Sequence, residues 1–156
     1  MWSILSALRS PWLDEIAVTT DIDEVMTLAG EHGVTSIRRP PLLANDTASM
    51  YGVIIHALSL ISADRVCLLQ PTSPLRAAED IDGTIIACGV NKACVSATEG
   101  IELPNGAVYV GSADWIRGGG NFDTPGLPRY EMPASRSVDI NTLEDFDEAE
   151  RLMSVQ

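Results

Sequence analysis

Lysine occurs once in this chain, at Lys92, and histidine twice, at His32 and His56. Two histidines and three cysteines without ligand-like spacing cannot assemble a zinc cluster. Positive charge is scarce overall: ten Lys and Arg face 22 Asp and Glu, a net charge of −12. Binding a nucleic-acid backbone needs basic contacts to phosphates, so the charge balance argues against that class. The same acidic field repels triphosphates unless a metal ion or a local group of arginines offsets it. Aromatics make up only 5% of the residues, which leaves Leu, Ile, Val and Ala to build the core. No apolar run approaches the roughly 20 residues that a helix needs to cross a bilayer. The opening Met-Trp-Ser-Ile-Leu lacks a basic leader and a long apolar stretch, which argues against a secretory signal. Cys67, Cys88 and Cys94 lie in or beside apolar runs and read as buried thiols, so the expected compartment is the reducing cytoplasm.

The composition is 46% hydrophobic over 156 residues, enough for one domain spanning 1–156. Apolar spacing predicts helices over 2–9, from Ile22 towards Gly33, over 47–62, over 78–88 and over 142–153. Asp21 and Glu24 fit a capping box for the second of these, and Asn141 with Glu144 fits one for the last. In the last helix Leu143, Phe146, Ala149 and Leu152 or Met153 are expected inward. His56 lies off the apolar stripe of its helix and reads as a surface or a satisfied histidine, not a catalytic one. Extended segments are predicted over 15–19, 34–37, 65–69, 93–97, 107–110 and 138–140. Residues 116–136 are rich in Gly, Pro and Arg and read as one long loop, of a length that is usually functional or mobile. Alternation of strands and helices predicts a three-layer α/β/α sandwich around a mostly parallel sheet.

Leu68-Leu-Gln-Pro-Thr-Ser-Pro-Leu-Arg76 is the most informative segment. An apolar strand ends there in a turn stiffened by Pro71 and Pro74. Gln70, Thr72, Ser73 and Arg76 are thereby left at the strand's carboxyl end, where open α/β sheets bind ligands. Other segments follow in order: Thr19-Thr-Asp21, Arg39-Pro-Pro-Leu-Leu-Ala-Asn-Asp-Thr-Ala-Ser49, Asn105-Gly-Ala-Val-Tyr109 and Ser137-Val-Asp-Ile-Asn141. Together they resemble the signatures of the cytidylyltransferases that activate acidic nine-carbon sugars, the acylneuraminate (CMP-sialic acid synthetase-like) family.

The resemblance implies a Rossmann-like nucleotide-diphospho-sugar transferase fold, and transfer of CMP from CTP to a sialic-acid-like nonulosonic acid. It implies nucleotide binding by Arg39, Ala48 and Ser49, and sugar binding by Gln70, Asn105 and Tyr109. Asn105 and Tyr109, four residues apart on a strand, are expected on one face. Asp139 is implied as the catalytic, metal-binding aspartate, with Asn141 at the second metal position and Mg²⁺ as the cofactor.

This sequence departs from the family pattern in four places. Met50 stands where a small polar residue is usual, which removes one hydrogen bond to the base. Asn141 replaces the second aspartate and makes a good helix cap, so a weak metal site is expected. Only Thr98 to Pro104 stand where the family carries a long insertion with its dimer arms. No Gly-Ser-Lys phosphate loop occurs among the 156 residues, and the resemblance begins at the family's first helix, after its first strand. The expectation is therefore a family member truncated at its N-terminus, with poor CTP binding and slow transfer. Its flanking strands then close up, or another chain fills the gap. A non-catalytic protein that binds sugar or nucleotide, or that self-assembles as a homo-oligomer, is the alternative.

Overall fold

The computed structural model describes residues 1–154. Six strands and six helices follow one another as α1 (Trp2–Leu8), β1 (Ala17–Thr20), α2 (Asp23–Glu31), β2 (Thr35–Arg38), α3 (Met50–Leu58), β3 (Arg65–Leu69), α4 (Ala78–Cys88), β4 (Ala93–Thr98), β5 (Pro104–Ser112), α5 (Ala113–Arg117), β6 (Arg129–Met132) and α6 (Leu143–Met153). Short 3₁₀ turns lie at Pro41–Leu43 and Ala134–Arg136.

The strands form two sheets. β1 and β2 are a parallel pair, and β3-β5-β4-β6 is a four-stranded sheet. In the larger sheet β5 runs antiparallel to both β3 and β4, while β6 runs parallel to β4. Three of its strands therefore point one way, and β5 is the single reversal. Reversal follows from the short connection after Thr98: a five-residue turn through Gly100 (φ 76°) makes a hairpin, whereas a parallel return needs a crossover.

Helices cover both faces of this sheet, giving the three layers that the alternation implies. Ile81 and Cys88 of α4 pack with Cys94, Val108, Val110 and Met132 on one face. On the other, Ile54 and Leu58 of α3 and Ile116 of α5 pack with Ala93, Val95 and Phe122. The small sheet has its own core of Ile4, Ala29 and Val34. The helix α1 straps the two parts together. Ile4 enters the small core, Ser6 Oγ donates to the Arg76 carbonyl at 2.7 Å, and Ser10 Oγ donates to Asp82 Oδ1 at 2.5 Å.

Several expectations need correction. β1 and β3 are each hydrogen-bonded on one side only, so the flanking strands do not close up into one sheet. Residues 116–136 hold the end of α5, β6 and a 3₁₀ turn, because Tyr130 and Met132 find a sheet edge and a core to bury in. Residues 138–140 form no strand, although Ile140 N–H donates to the Thr72 carbonyl at 2.8 Å. The helix α2 has Ile22 at its N-cap, with no side-chain cap. The helix α6 is capped by Thr142 with Asp145, one residue later than Asn141 with Glu144. Leu143 is 80% exposed and Phe146 46% exposed, and Ala149 alone is buried in α6. Among the described residues no helix is long and apolar enough to cross a membrane.

Candidate functional site

β3 delivers Gln70 to the end of the larger sheet. Its last ladder pair is Leu69 with Val108, so Gln70 stands where β3 and β5 begin to part. Its carbonyl accepts from Ser73 N–H at 3.4 Å and from Arg76 Nη1 at 3.2 Å, which folds the 70–76 turn back on itself. Its side-chain amide lies 4.0 Å from the Met50 sulfur, so the start of α3 forms the neighbouring wall. Ser49 caps α3 by accepting from Tyr51 N–H at 3.2 Å, and Ala48 sits in the turn just before it.

Asp139 lies against the other wall, over β5. Gly106 has φ 82°, and a Cβ built there would meet the Asp139 carboxyl at 3.1 Å. Glycine is required here twice, for the left-handed backbone and for the close approach. Asp139 Oδ2 accepts from Asn141 Nδ2 at 3.0 Å, while Oδ1 is buried without a hydrogen-bond partner. Burial and the nearby carboxylates Asp123 and Asp139 push the Tyr109 phenol up to about 12. It is therefore a neutral hydrogen-bonding group at all physiological pH values.

Phe122 holds Tyr109 from the loop side. Its ring lies 5.2 Å from Tyr109, 5.9 Å from Tyr51 and 5.1 Å from Trp115. The Tyr51 hydroxyl accepts from Phe122 N–H at 2.8 Å and donates to Asn121 at 3.0 Å, tying this loop to α3. Four of the chain's eight aromatics thus meet at one wall. Their sequence separations are irregular, so no periodic pattern could have shown the group.

Asn105 and Tyr109 do not share a face. Asn105 Oδ1 accepts from Ser96 Oγ at 2.6 Å and Ala107 N–H at 3.2 Å, and its Nδ2 donates to Ser137 Oγ at 3.2 Å. These contacts, with Met132, lie on the α4 side, whereas Tyr109 packs among the α3 and α5 residues. The cause is the positive φ at Gly106 together with a register shift between Val95 and Ala97, which breaks the alternation along β5. Arg39 is also set apart. Its guanidinium donates to the Thr19 carbonyl at 2.6 Å and more weakly to the Thr19 hydroxyl, at the end of β1. Ser73 and Arg76, expected at the ligand-facing end of the strand, are instead buried.

The structure thus brings Gln70, Tyr109, Gly106 and Asp139 to one end of the sheet, with Met50 and Phe122 beside them. Two concavities are lined by neighbours of these residues, and neither by Gln70, Gly106, Tyr109 or Asp139 themselves. One of about 290 Å³ is lined by Val95, Phe122, Asp123 and Leu127. The other, of about 910 Å³, opens between Trp2, Pro71, Ile140 and Phe146. Among the described residues no group of three or more His, Cys, Asp or Glu could cage a metal. The Asp139 Oδ1, buried and without a hydrogen-bond partner, is an oxygen donor of the kind Mg²⁺ takes together with waters and substrate phosphates.

A family model for cytidylyltransferases matches residues 1–102. An N-acylneuraminate cytidylyltransferase of Escherichia coli O18:K1:H7 is 40% identical over 76 residues, covering 48% of this chain and 18% of that enzyme. The CMP-N,N'-diacetyllegionaminic acid synthase of Legionella pneumophila is 26% identical, covering 98% of this chain and 84% of that one. The chain spans 44% of a Streptococcus agalactiae N-acylneuraminate cytidylyltransferase, at 25% identity. Among solved structures, a CMP:2-keto-3-deoxy-manno-octonic acid synthetase complexed with CTP superposes with TM-score 0.73 at 12% identity, over 98% of this chain and 86% of that one. A nucleotidyl transferase from Methanothermobacter gives 0.71 at 14% identity, over 99% and 82%.

Proposed function

The chain belongs to the cytidylyltransferase family, and on that basis we propose that the end of its larger sheet receives an acidic nine-carbon sugar for CMP transfer from CTP. The observation that carries this reading is the seat of Asp139: a buried, unpaired carboxylate oxygen held over Gly106, with Gln70 and Tyr109 in the same region. In the reaction the sugar's anomeric hydroxyl attacks the α-phosphorus. One P–O bond forms, the bond to the β-phosphate breaks, and pyrophosphate leaves.

The residues divide the work by chemistry. The Gln70 amide can donate and accept, which suits sugar hydroxyls. Tyr109, held neutral, offers an O–H to the sugar carboxylate without adding negative charge. Asn105 contributes through its backbone turn, since its amide is engaged by Ser96, Ala107 and Ser137. Ser49, the Ala48 backbone and Arg39 are assigned to the nucleotide. Asp139, with the Asn141 carbonyl oxygen, would hold Mg²⁺. That ion supplies charge neutralisation where two anions meet in an acidic protein.

Pyrophosphate release from CTP and Mg²⁺ with a panel of nonulosonic acids tests the proposal. Turnover above background with at least one sugar is expected, and none with any of them refutes transfer. Asn141 favours a second reading, binding without transfer, because it donates to Asp139 instead of adding a second acid. Calorimetric binding of N-acetylneuraminate with no pyrophosphate released would select it. The open edges of β1 and β3 support self-association, which sedimentation would detect as a concentration-dependent mass.

A further inference from the structure

Arg76 is 2% exposed, yet among the described residues no carboxylate pairs with it. Asp80, the buried acid beside it, is gripped elsewhere: Arg136 Nε and Nη2 donate to its two oxygens at 2.8 Å each, and Ala77 N–H donates at 2.9 Å. Arg76 uses Nη1 alone. That nitrogen donates to the Ala107 carbonyl at 2.6 Å and to the Gln70 carbonyl at 3.2 Å, while Nε and Nη2 are buried without partners. Burial brings the guanidinium down to about 10, against the favourable pull of Asp80. A buried charge with two idle donors costs stability, and an apolar side chain of similar volume is commonly tolerated as well or better.

The contacts that Arg76 does make lie where the backbone ladder stops. The β3–β5 pairing ends at Leu69 with Val108, and the Arg76 Nη1 bridges the next residue on each side, Gln70 and Ala107. Gln70 is one wall of the candidate site. Ala107 follows Gly106, the glycine that seats Asp139.

We infer that Arg76 is a positioning residue, which fixes the Gln70 turn against the Gly106–Ala107 turn and so sets the distance between the two walls of the site. Its ligand-binding arm rests on the acceptor-sugar reading; its structural arm does not.

Arg76→Met and Arg76→Lys test this in the full chain. Arg76→Met is expected to keep or raise the melting temperature. Its amide hydrogen exchange should accelerate about tenfold or more in 70–73 and 105–109, with β1, α2 and β2 unchanged. Arg76→Lys keeps the charge without the planar fork and should fall between it and wild type. Affinity for N-acetylneuraminate, measured by calorimetry, should fall about tenfold in Arg76→Met and partly recover in Arg76→Lys. Wild-type exchange in both segments, or an unchanged affinity in Arg76→Met, overturns the inference. Acceleration throughout the molecule with a lowered melting temperature overturns it too, in favour of a plain folding role. If the wild-type chain binds no sugar, the acceptor-sugar reading fails, and the exchange pattern alone decides the role of Arg76.

Discussion

At the scale of single residues the site depends on a few contacts that have no substitute. Gly106 combines φ 82° with a would-be Cβ at 3.1 Å from the Asp139 carboxyl. Gly106→Ala is therefore expected to lose about 1–3 kcal/mol in urea unfolding, through backbone strain and displacement of Asp139. Asn141→Asp should separate two effects. Without metal it exchanges a donated hydrogen bond for two like charges beside each other, so the melting temperature in EDTA should drop. With millimolar Mg²⁺ the melting temperature should rise by more than it does for wild type, because a second carboxylate completes a hard-cation pair. An Mg²⁺ response equal to that of wild type would remove residue 141 from the metal site. Gln70 and Asp139 stand out in the sequence, and the fold brings both to the same end of the larger sheet. The turn of the Asn105 amide away from the Tyr109 face was not legible, because it comes from a three-residue register shift along β5.

At the scale of elements, boundaries followed local chemistry where that chemistry was unambiguous. α4 runs Ala78–Cys88 and β3 runs Arg65–Leu69, as the apolar pattern predicts. Caps were harder to place, since Asn, Thr, Asp and Glu compete at adjacent positions. α6 is closed by reciprocal bonds between Thr142 and Asp145, and Asp145 Oδ2 also accepts from Asn141 N–H at 3.1 Å. Thr142→Ala should cost about 0.5–2 kcal/mol of helix stability, measured by exchange protection within α6. The same cap sets an acid response. Backbone N–H bonds from Asn141, with those from Thr142, hold the Asp145 carboxyl below its ordinary range. A depressed folded-state pKa stabilises above the ordinary value, and that stabilisation is lost as pH falls through the folded one. Fraying of α6 should therefore appear at the acid end, while α4 is still protected. Helical signal that is flat down to the global acid transition would contradict it.

At the scale of the whole molecule, the two sheets are the decisive feature. The β1–β2 pair and α2 have a small core of Ile4, Ala29 and Val34, with Ile16, Val18 and Leu28 packed against it, whereas the larger sheet is packed on both faces. α1 is the strap between them. Ile4→Ala is expected to cost about 2–4 kcal/mol and to raise exchange in β1, α2 and β2 first. Uniform acceleration would mean that the two parts unfold as one.

The sequence alone determined the layered α/β architecture, the family and the identity of the strand-end residues. These rest on local signals: apolar periodicity, proline-bracketed turns and short motifs in fixed order. Tertiary structure alone decided which residues meet. The direction of β5, the inward turn of Arg76 and Ser73, the gathering of aromatics around Phe122 and the separation of Asn105 from Tyr109 all depend on contacts between distant segments. Such contacts are fixed by burial and by strand register, and neither of these is written in any short stretch of the chain.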